Sequence, residues 1–239
     1  MIGMIELPHG AVTIAAGCPW ANAGMLEMCV LARRYAANRT GLLLIDAFND
    51  FLSDGGKLRS RLQPIGAAVD LLTHLRRLLD TARRTGVTVL HVPHRRWREG
   101  DFDRWRHPTP WQLEIDREGL FACGTWGGDW HPDLSPQSGD VVVQEHWGQN
   151  GFFNTDLDLQ LRQRGIENII LVGMASNTCV ASTARFGTEL GYHVTLVRDA
   201  TAALGHDGPR AAHDIDVPGF AHVVAATDEL VAVLGADPP

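Results

Sequence analysis

Residues 168–197 read NIILVGMASNTCVASTARFGTELGYHVTLV, and this segment alone predicts one unit of an α/β fold. The run 168–173 is nearly all apolar, which is typical of a strand buried on both faces. After a turn, the residues from Thr178 to Leu190 form a candidate helix that stops at Gly191. The apolar run 192–197 then predicts a second strand. A strand, a helix and a strand in succession indicate parallel pairing.

The same alternation of strand-type and helix-type segments extends over most of the chain. Apolar residues recur with helical spacing from Ile65 to Arg84, between Pro64 and Gly86, and a further helix is predicted from Asp156 to Arg164. Four more apolar runs predict strands at 41–46, 87–92, 140–146 and 221–226. Strands that alternate with helices predict a parallel sheet within a three-layer α/β sandwich.

Two segments depart from this alternation. Residues 1–40 precede the first strand and are interpreted as an N-terminal arm, so that residues 41–239 form the main domain. Residues 95–136 are an insertion that holds five of the seven tryptophans. Insertions of this length are usually functional or disordered, and so many aromatic residues favour an ordered lid over a pocket. The simpler interpretation is that each tryptophan packs the insertion onto the body of the protein.

The composition narrows the class of protein. The 239 residues carry a net charge of -7, which argues against nucleic acid as the main partner, because phosphate binding favours a basic face. The longest apolar run is well short of the ~20 residues of a membrane helix, and the N-terminus lacks the pattern of a signal peptide. The four cysteines show no CxxC spacing, so a reduced, cytoplasmic protein is expected.

An acidic residue is predicted at the carboxyl end of the first strand, the edge at which open parallel sheets bind their ligands. Asp46 follows four apolar residues in LLLIDAFNDF (42–51). An acid in such a position is costly unless it is paired or used in chemistry. The alternative is an aspartate that caps a turn or a helix.

Cys179, in the turn GMASNTCV (173–180), falls in the first turn of the following helix, and Ser176 or Asn177 is the expected cap of that helix. Free amides and the helix dipole at this position are expected to lower the pKa of the thiol and to offer an oxyanion hole. A thiolate is the better nucleophile. The remaining cysteines are expected to be small buried hydrophobic residues: Cys18, Cys29 and Cys123.

These residues carry a resemblance to a known family. The segment from Gly139 to Thr201, with FFNTDLD (152–158) and GMASNTCV, resembles the isochorismatase-like cysteine hydrolases, and so does LLLIDAFNDF. That superfamily includes nicotinamidases, N-carbamoylsarcosine amidohydrolase and ureidoacrylate hydrolases. The resemblance implies a Rossmann-like sheet of six parallel strands in the order 3-2-1-4-5-6. Strands one and four are then neighbours, which would bring Asp46 and Cys179 together.

The resemblance also implies roles for individual residues. Cys179 would be the nucleophile, and Asp46 the general base and acid. The cis peptide bond of the family falls between Met174 and Ala175, and its oxyanion hole would consist of the backbone amides of Ala175 and Cys179. No cofactor is expected. A homo-oligomer, either a dimer or a tetramer, is expected, since members of the family usually assemble in this way.

The chain departs from the family pattern at the third catalytic residue, which is a lysine at the end of strand three. The only lysine here is Lys57, which is interpreted as a solvated charge. Counting back from FFNTDLD places His146 in the position of the lysine, whereas counting forward from Gly139 places Glu145 there. We prefer His146, because only a histidine can supply a positive charge beside Asp46. Glu145 would then orient His146 or bind a substrate NH group; alternatively, the two residues are merely a strand-end pair.

A second departure concerns metal binding. Nicotinamidases carry an Asp-x-His motif after the second strand, where this chain has His91 and His94 without a neighbouring acid. Two histidines three residues apart are weak evidence for zinc, so no metal is expected. His94 is instead expected to line the substrate pocket, together with Trp147, Asn150 and Phe152.

The sequence therefore predicts a cofactor-free cysteine hydrolase that cleaves a C–N bond of a small amide, carbamoyl (ureido) or imide substrate through a thioester. One alternative is isochorismatase-type cleavage of a vinyl ether, with Asp46 as the acid. Another is a protein that binds a small molecule on the same scaffold without catalysis, as the missing lysine suggests.

Overall fold

The computed structural model describes residues 4–7, 10–13, 35–64, 71–205 and 219–235. Most of the proposed N-terminal arm, including Cys18 and Cys29, lies outside these residues. So does the first part of the helix that is predicted to begin at Ile65. Within the described residues, no helix is long and apolar enough to cross a membrane.

The described elements alternate along the chain much as the apolar pattern predicts. The strands are β1 (Met4–Leu7), β2 (Gly10–Thr13), β3 (Thr40–Ile45), β4 (Leu62–Pro64), β5 (Thr88–Val92), β6 (Val141–Val142), β7 (Asn168–Met174), β8 (His193–Leu204) and β9 (Val223–Ala225). The α-helices are α1 (Asn49–Leu52), α2 (Leu71–Thr85), α3 (Pro110–Glu118), α4 (Leu157–Gln163), α5 (Ala181–Glu189) and α6 (Thr227–Leu234).

The main sheet confirms the predicted topology. Its six parallel strands lie in the order β6-β5-β3-β7-β8-β9, which is 3-2-1-4-5-6 when the predicted strands are numbered along the chain. The short strand β4 pairs antiparallel with the far end of β8. Strands β1 and β2 form a separate antiparallel pair.

Side chains of the central strand alternate between two apolar cores, as expected for a sheet covered on both faces. Leu42 and Leu44 belong to the core that also contains residues of α2 and α6. Leu43 and Ile45 belong to the core that also contains residues of α4 and α5. The three-layer sandwich follows from this division.

The carboxyl ends of β3 and β7 lie side by side, which positions the residues that follow them. Ile45 pairs with Gly173, one residue before Asp46 and one residue before Met174. A Cβ atom at Gly173 would lie 2.2 Å from the backbone oxygen of Ile45, and the φ of Gly173 is 109°. Only glycine allows the two strands to approach so closely here.

Three predicted elements differ in extent from the structure. The third strand is only Val141–Val142, and β8 continues to Leu204 instead of ending near residue 197. The helix predicted from Thr178 begins instead as a π-helical turn, Ser176–Val180, and continues as α5.

Residues 95–136 are ordered and attached to the loop that follows β3. The backbone amide of His131 donates to the carbonyl of Ala47, and that of Phe121 donates to the buried carboxylate of Asp50 at 2.8 Å. Trp130 packs on Phe48, with ring centroids 5.3 Å apart. These contacts place the insertion beside the carboxyl ends of the strands; its action as a lid remains a prediction.

One expectation about this region is wrong. Cys123 is exposed rather than buried, because it lies in the turn after α3. Lys57 is exposed, as expected for a solvated charge, and its Nζ also donates to the carbonyls of Glu118 and Gly119 at the C-terminus of α3, at 2.6 and 2.9 Å.

Candidate active site

Asp46 immediately follows β3 and is fully buried, with a φ of 51°. Its Oδ1 accepts a hydrogen bond from the backbone amide of His94 at 2.6 Å and lies 3.1 Å from Nε2 of His146. Its Oδ2 has no hydrogen-bonded nitrogen or oxygen partner among the residues that the structure describes. A buried carboxylate is costly without such contacts, so the contacts with the two histidines offset the cost of burying Asp46.

His146 follows the short strand β6 and is fully buried beside Asp46. Its Nδ1 lies 2.8 Å from the carbonyl oxygen of Gly148, and its Nε2 faces the carboxylate. A carbonyl and a carboxylate both accept hydrogen bonds, so a proton on each ring nitrogen satisfies both contacts. Burial acts to lower the pKa of His146, but the charge and hydrogen bond of Asp46 outweigh it and raise the pKa. His146 is therefore a cation that is held against Asp46.

Cys179 lies in the π-helical turn that precedes α5 and is buried. One carboxylate oxygen of Asp46, one ring nitrogen of His146 and Sγ of Cys179 all lie within 4.8 Å of one another. We call these three residues the triad. The strand order thus brings together the carboxylate after β3, the imidazole after β6 and the sulfur after β7.

The protonation of Cys179 differs from the prediction. Burial raises the pKa of the thiol well above its usual value, and the nearby Asp46 carboxylate raises it further. The Thr178 hydroxyl and the Ala175 main chain act in the opposite direction but do not prevail. The expectation of a lowered pKa is wrong, because the dipole of a short helical turn is weaker than desolvation and a facing carboxylate. Cys179 rests as a thiol.

The expected side-chain cap is also wrong. The residue before the π-helical turn is Ala175, and no side chain of the described residues caps the turn. The Asn177 side chain instead bonds to both the carbonyl and the amide of Leu204, each at 3.0 Å, and so ties the turn to the end of β8. Ser176 is fully buried, and its Oγ has no hydrogen-bond partner among the described residues.

The peptide bond between Met174 and Ala175 is cis, as the resemblance implies. The carbonyl oxygen of Ala175 accepts hydrogen bonds from the amides of Thr178 and Val180. Ala175 is itself fully buried next to the triad. The oxyanion hole at the amides of Ala175 and Cys179 remains a prediction.

Glu145 lies at the edge of the site rather than within the triad. Its carboxylate is 26% exposed and pairs with the guanidinium of Arg96 at 2.8 Å and with that of Arg95 at 3.4 Å. The backbone amide of Arg96 also donates to it. Glu145 therefore acts on His146 through its charge, which favours the cation.

His94 is buried beside the triad, and its ring lies edge-on to that of His146, with centroids 5.1 Å apart. Its Nδ1 lies 2.9 Å from the carbonyl of Arg95, which assigns the proton to that nitrogen. Burial, followed by the charge of His146, lowers the pKa of His94 to about 4. His94 is therefore neutral, and its Nε2 is an acceptor for which the described residues offer no hydrogen-bond partner.

Three further residues are expected to line the pocket, and each contacts different neighbours in the structure. Trp147 lies under the guanidinium of Arg95, 4.6 Å from it. Asn150 accepts from the amides of Phe152 and Phe153 and so closes its own turn. Phe152 is buried and stacks on Tyr192, with centroids 5.8 Å apart. Substrate contact by these residues remains a prediction.

The sequence reasoning missed two acids that support the site, the buried Asp50 and the partly buried Asp140. Asp50 accepts the amides of Phe121 and Lys57 and so attaches the insertion. Asp140 bonds to His91 at 3.0 Å and to Arg83 at 2.6 Å, which commits Nε2 of His91 to this network. Asp50 lies within the largely apolar segment LLLIDAFNDF, and this position was a signal that its side chain is buried. Asp140 had no signal beyond its position before a strand.

The parallel sheet and the meeting of Asp46 with Cys179 are what the resemblance to the isochorismatase-like cysteine hydrolases implies, and a family model agrees with that class. Residues 40–228 match the Isochorismatase domain. The chain belongs to this family, since the match extends over most of its length.

Particular relatives are amidohydrolases by name. The chain is 31% identical over 207 residues to the ureidoacrylate amidohydrolase RutB of Caulobacter vibrioides (strain ATCC 19089 / CIP 103742 / CB 15), covering 82% of this chain and 91% of the relative. It is 29% identical over 216 residues to the RutB of Agrobacterium fabrum, covering 84% and 92%.

Solved structures show the same likeness. A cysteine hydrolase from Pseudomonas syringae pv. phaseolicola has a TM-score of 0.69 at 27% identity, covering 83% of this chain and 93% of its own. The N-carbamoylsarcosine amidase of Thermoplasma acidophilum has a TM-score of 0.63 at 26% identity, covering 80% and 97%.

The ion pair of the triad predicts a pH-dependent stability. Because the pKa of His146 is raised on folding, its contribution is fully present below the unfolded value of about 6.5 and is lost as the pH rises through the folded value. The raised pKa of Cys179 acts in the same direction at higher pH. In the wild type, the Asp46 carboxylate raises the pKa of both His146 and Cys179. Asp46→Asn removes that carboxylate.

We therefore expect the difference in free energy of unfolding, wild type minus Asp46→Asn, to fall steadily from pH 6 to pH 9 in urea titrations. Comparing the two proteins cancels the buried histidines that titrate elsewhere, such as His91 and His131. A difference that stays constant or grows with pH would show that His146 is not held as a cation by Asp46.

Proposed function

We propose that this chain hydrolyses a C–N bond of a small amide or ureido compound, with Cys179 as nucleophile, Asp46 as base and acid, and His146 as the fixed cation in the position of the family lysine. The observation that carries this proposal is the triad itself. Its three reactive atoms lie within 4.8 Å of one another, at the switch point of a parallel sheet.

The first step uses the resting protonation of the site. Asp46 is the base that faces the Cys179 thiol, and the thiol keeps its proton until a carbonyl carbon is close. As Sγ attacks, the S–C bond forms, the thiol proton moves to Asp46, and the carbonyl electron pair moves to oxygen. The backbone amides of Ala175 and Cys179 are the proposed donors to that oxyanion.

Collapse of the oxyanion restores the carbonyl and breaks the C–N bond. The protonated Asp46 gives its proton to the leaving nitrogen, so that ammonia or an amine departs and a thioester remains on Cys179. Water then attacks the thioester, Asp46 accepts a proton from it, and the departing sulfur regains its proton. The acid half of the substrate leaves, and the triad returns to its starting state.

His146 is proposed to keep Asp46 ionised rather than to carry protons. Its Nδ1 is held by the carbonyl of Gly148, and its Nε2 is directed at the carboxylate. An unpaired carboxylate at this depth would take up a proton and lose its function as a base. The charge of Glu145 supports the same cation from the edge of the site.

The substrate class is proposed from the relatives. Both kinds of relative are named for ureido or carbamoyl substrates, and we propose a substrate of that class here. The insertion 95–136 would cover it as a lid. His94, beside the triad, and Trp147 are proposed pocket residues, with Asn150 and Phe152 in the turn that follows them.

The state of the cysteines bears on the compartment in which the enzyme works. A catalytic thiol requires a reducing compartment, and the two cysteines in the described part of the chain, Cys123 and Cys179, are both free. We propose a cytoplasmic homo-oligomer that acts on small molecules and has no role with nucleic acid or membranes.

Replacement of the nucleophile tests the reaction class. Cys179→Ala should lower kcat for ammonia release from ureido and amide substrates by at least ~1000-fold, because no group replaces the sulfur. Cys123→Ala is the matched control and should retain wild-type turnover. Cleavage of an enol ether by Asp46 would survive Cys179→Ala, and survival of the measured activity would refute the thioester route.

Replacement of His146 tests the cation. His146→Gln should lower kcat/KM by about 100-fold or more, because an amide cannot neutralise Asp46. His146→Lys should retain activity within about tenfold of wild type, since the positive charge is kept. Glu145→Gln, at the neighbouring position, should cost less than about tenfold. Equal losses in His146→Gln and Glu145→Gln would contradict the assigned role.

A further inference from the structure

The triad has the composition of a transition-metal site. Among the described residues, one group of three His, Cys, Asp or Glu side chains has its ligand atoms within 4.8 Å of one another, and it consists of Asp46, His146 and Cys179. Thiolate, imidazole and carboxylate are the ligands that Zn²⁺ takes in proteins. Three protein ligands leave a fourth position open.

His146 and Asp46 each make a second hydrogen bond of the kind that orients metal-binding side chains. A ligating histidine usually donates its other ring nitrogen to a backbone carbonyl or carboxylate. His146 does so through Nδ1 to Gly148, which leaves Nε2 pointing into the triad. The backbone amide of His94 fixes Asp46 in the same way, while the buried Oδ2 of Asp46 has no nitrogen or oxygen partner within the described part of the chain.

The distances fit a tetrahedral ion with little movement. Ligand atoms around tetrahedral Zn²⁺ are about 3.3–3.6 Å apart, given the usual Zn–N, Zn–O and Zn–S bond lengths. Nε2 of His146 and Oδ1 of Asp46 are already 3.1 Å apart. Because no pair of ligand atoms exceeds 4.8 Å, the sulfur has to move by only about 1 Å.

The net charge of the site with an ion bound would also be compatible with its burial. A divalent cation with one carboxylate, one thiolate and one neutral imidazole has no net charge, which limits the cost of burying it. A lysine ammonium in the same position has no lone pair to offer. The histidine that stands in the position of the lysine is therefore what completes the ligand set.

We propose that Asp46, His146 and Cys179 bind one Zn²⁺-class ion per chain, with the Nε2 proton of His146 and the Sγ proton of Cys179 released to solvent, and that the bound ion blocks hydrolysis by holding the sulfur. Binding is independent of the proposed function, and only the block on turnover rests on it. The ion acts as an inhibitor of the site and takes no part in the reaction.

Cobalt is the probe for binding, because a Co²⁺–thiolate bond adds a charge-transfer absorption in the near ultraviolet. The parent protein is the full chain with Cys18, Cys29 and Cys123 changed to Ser, so that Cys179 is its only thiol. We expect the absorption to saturate at one Co²⁺ per chain and to disappear when Zn²⁺ is added.

Two variants of that parent test the ligands. Cys179→Ser should abolish the absorption, and His146→Lys should weaken Co²⁺ binding by at least ~100-fold. Circular dichroism checks that each protein is folded, and Cys179→Ser, which is nearly isosteric, remains informative if His146→Lys does not fold. A folded parent without the absorption at about 1 mM Co²⁺, or unchanged affinity in folded His146→Lys, would overturn the site.

The block on turnover is measured with the wild-type enzyme. Stoichiometric Zn²⁺ should stop hydrolysis, and a chelator should restore it. Full turnover with one ion bound at the triad would overturn the inhibition. Metal binding by a chain that hydrolyses no amide or ureido compound would refute the proposed function and leave the metal site established.

Discussion

The ion pair between Asp46 and His146 is the interaction on which the site depends. Both side chains are fully buried, so each charge would be unstable alone. The pair lasts because each partner has a second contact: Asp46 accepts the amide of His94, and His146 donates to the carbonyl of Gly148. The result is a buried carboxylate that faces the thiol of Cys179.

The fold produces this arrangement from three separate parts of the chain. The order of the strands places the ends of β5, β3 and β7 in a row, with β6 next to β5. Asp46 follows β3, Cys179 follows β7, and a parallel bridge between His94 and His146 connects the segments after β5 and β6. Close approach of β3 and β7 at Gly173 completes the geometry.

Much of this could be predicted from the sequence. Apolar runs and helix stops indicated the parallel sheet, and the position of Asp46 at a strand end marked it as unusual. The strand order and the pairing of Asp46 with Cys179 came from the family resemblance. The choice between Glu145 and His146 could not be made from counting, because it depends on a strand of two residues and on the bridge that follows it.

The remaining errors concern energies that depend on burial. The helix-terminus argument predicted a lowered pKa at Cys179, but desolvation and the facing carboxylate raise it. Asn177 was a reasonable cap in sequence terms, yet the end of β8 takes its side chain instead. Local propensity describes a turn in water, whereas this turn lies between a buried acid and a strand.

Neutron diffraction of the protein in deuterated solvent tests the central claim most directly, because it locates the protons within the triad. The account predicts deuterium on both ring nitrogens of His146 and on Sγ of Cys179, with none on the carboxylate of Asp46. A singly protonated imidazole beside a protonated Asp46, or a thiolate at Cys179, would contradict it.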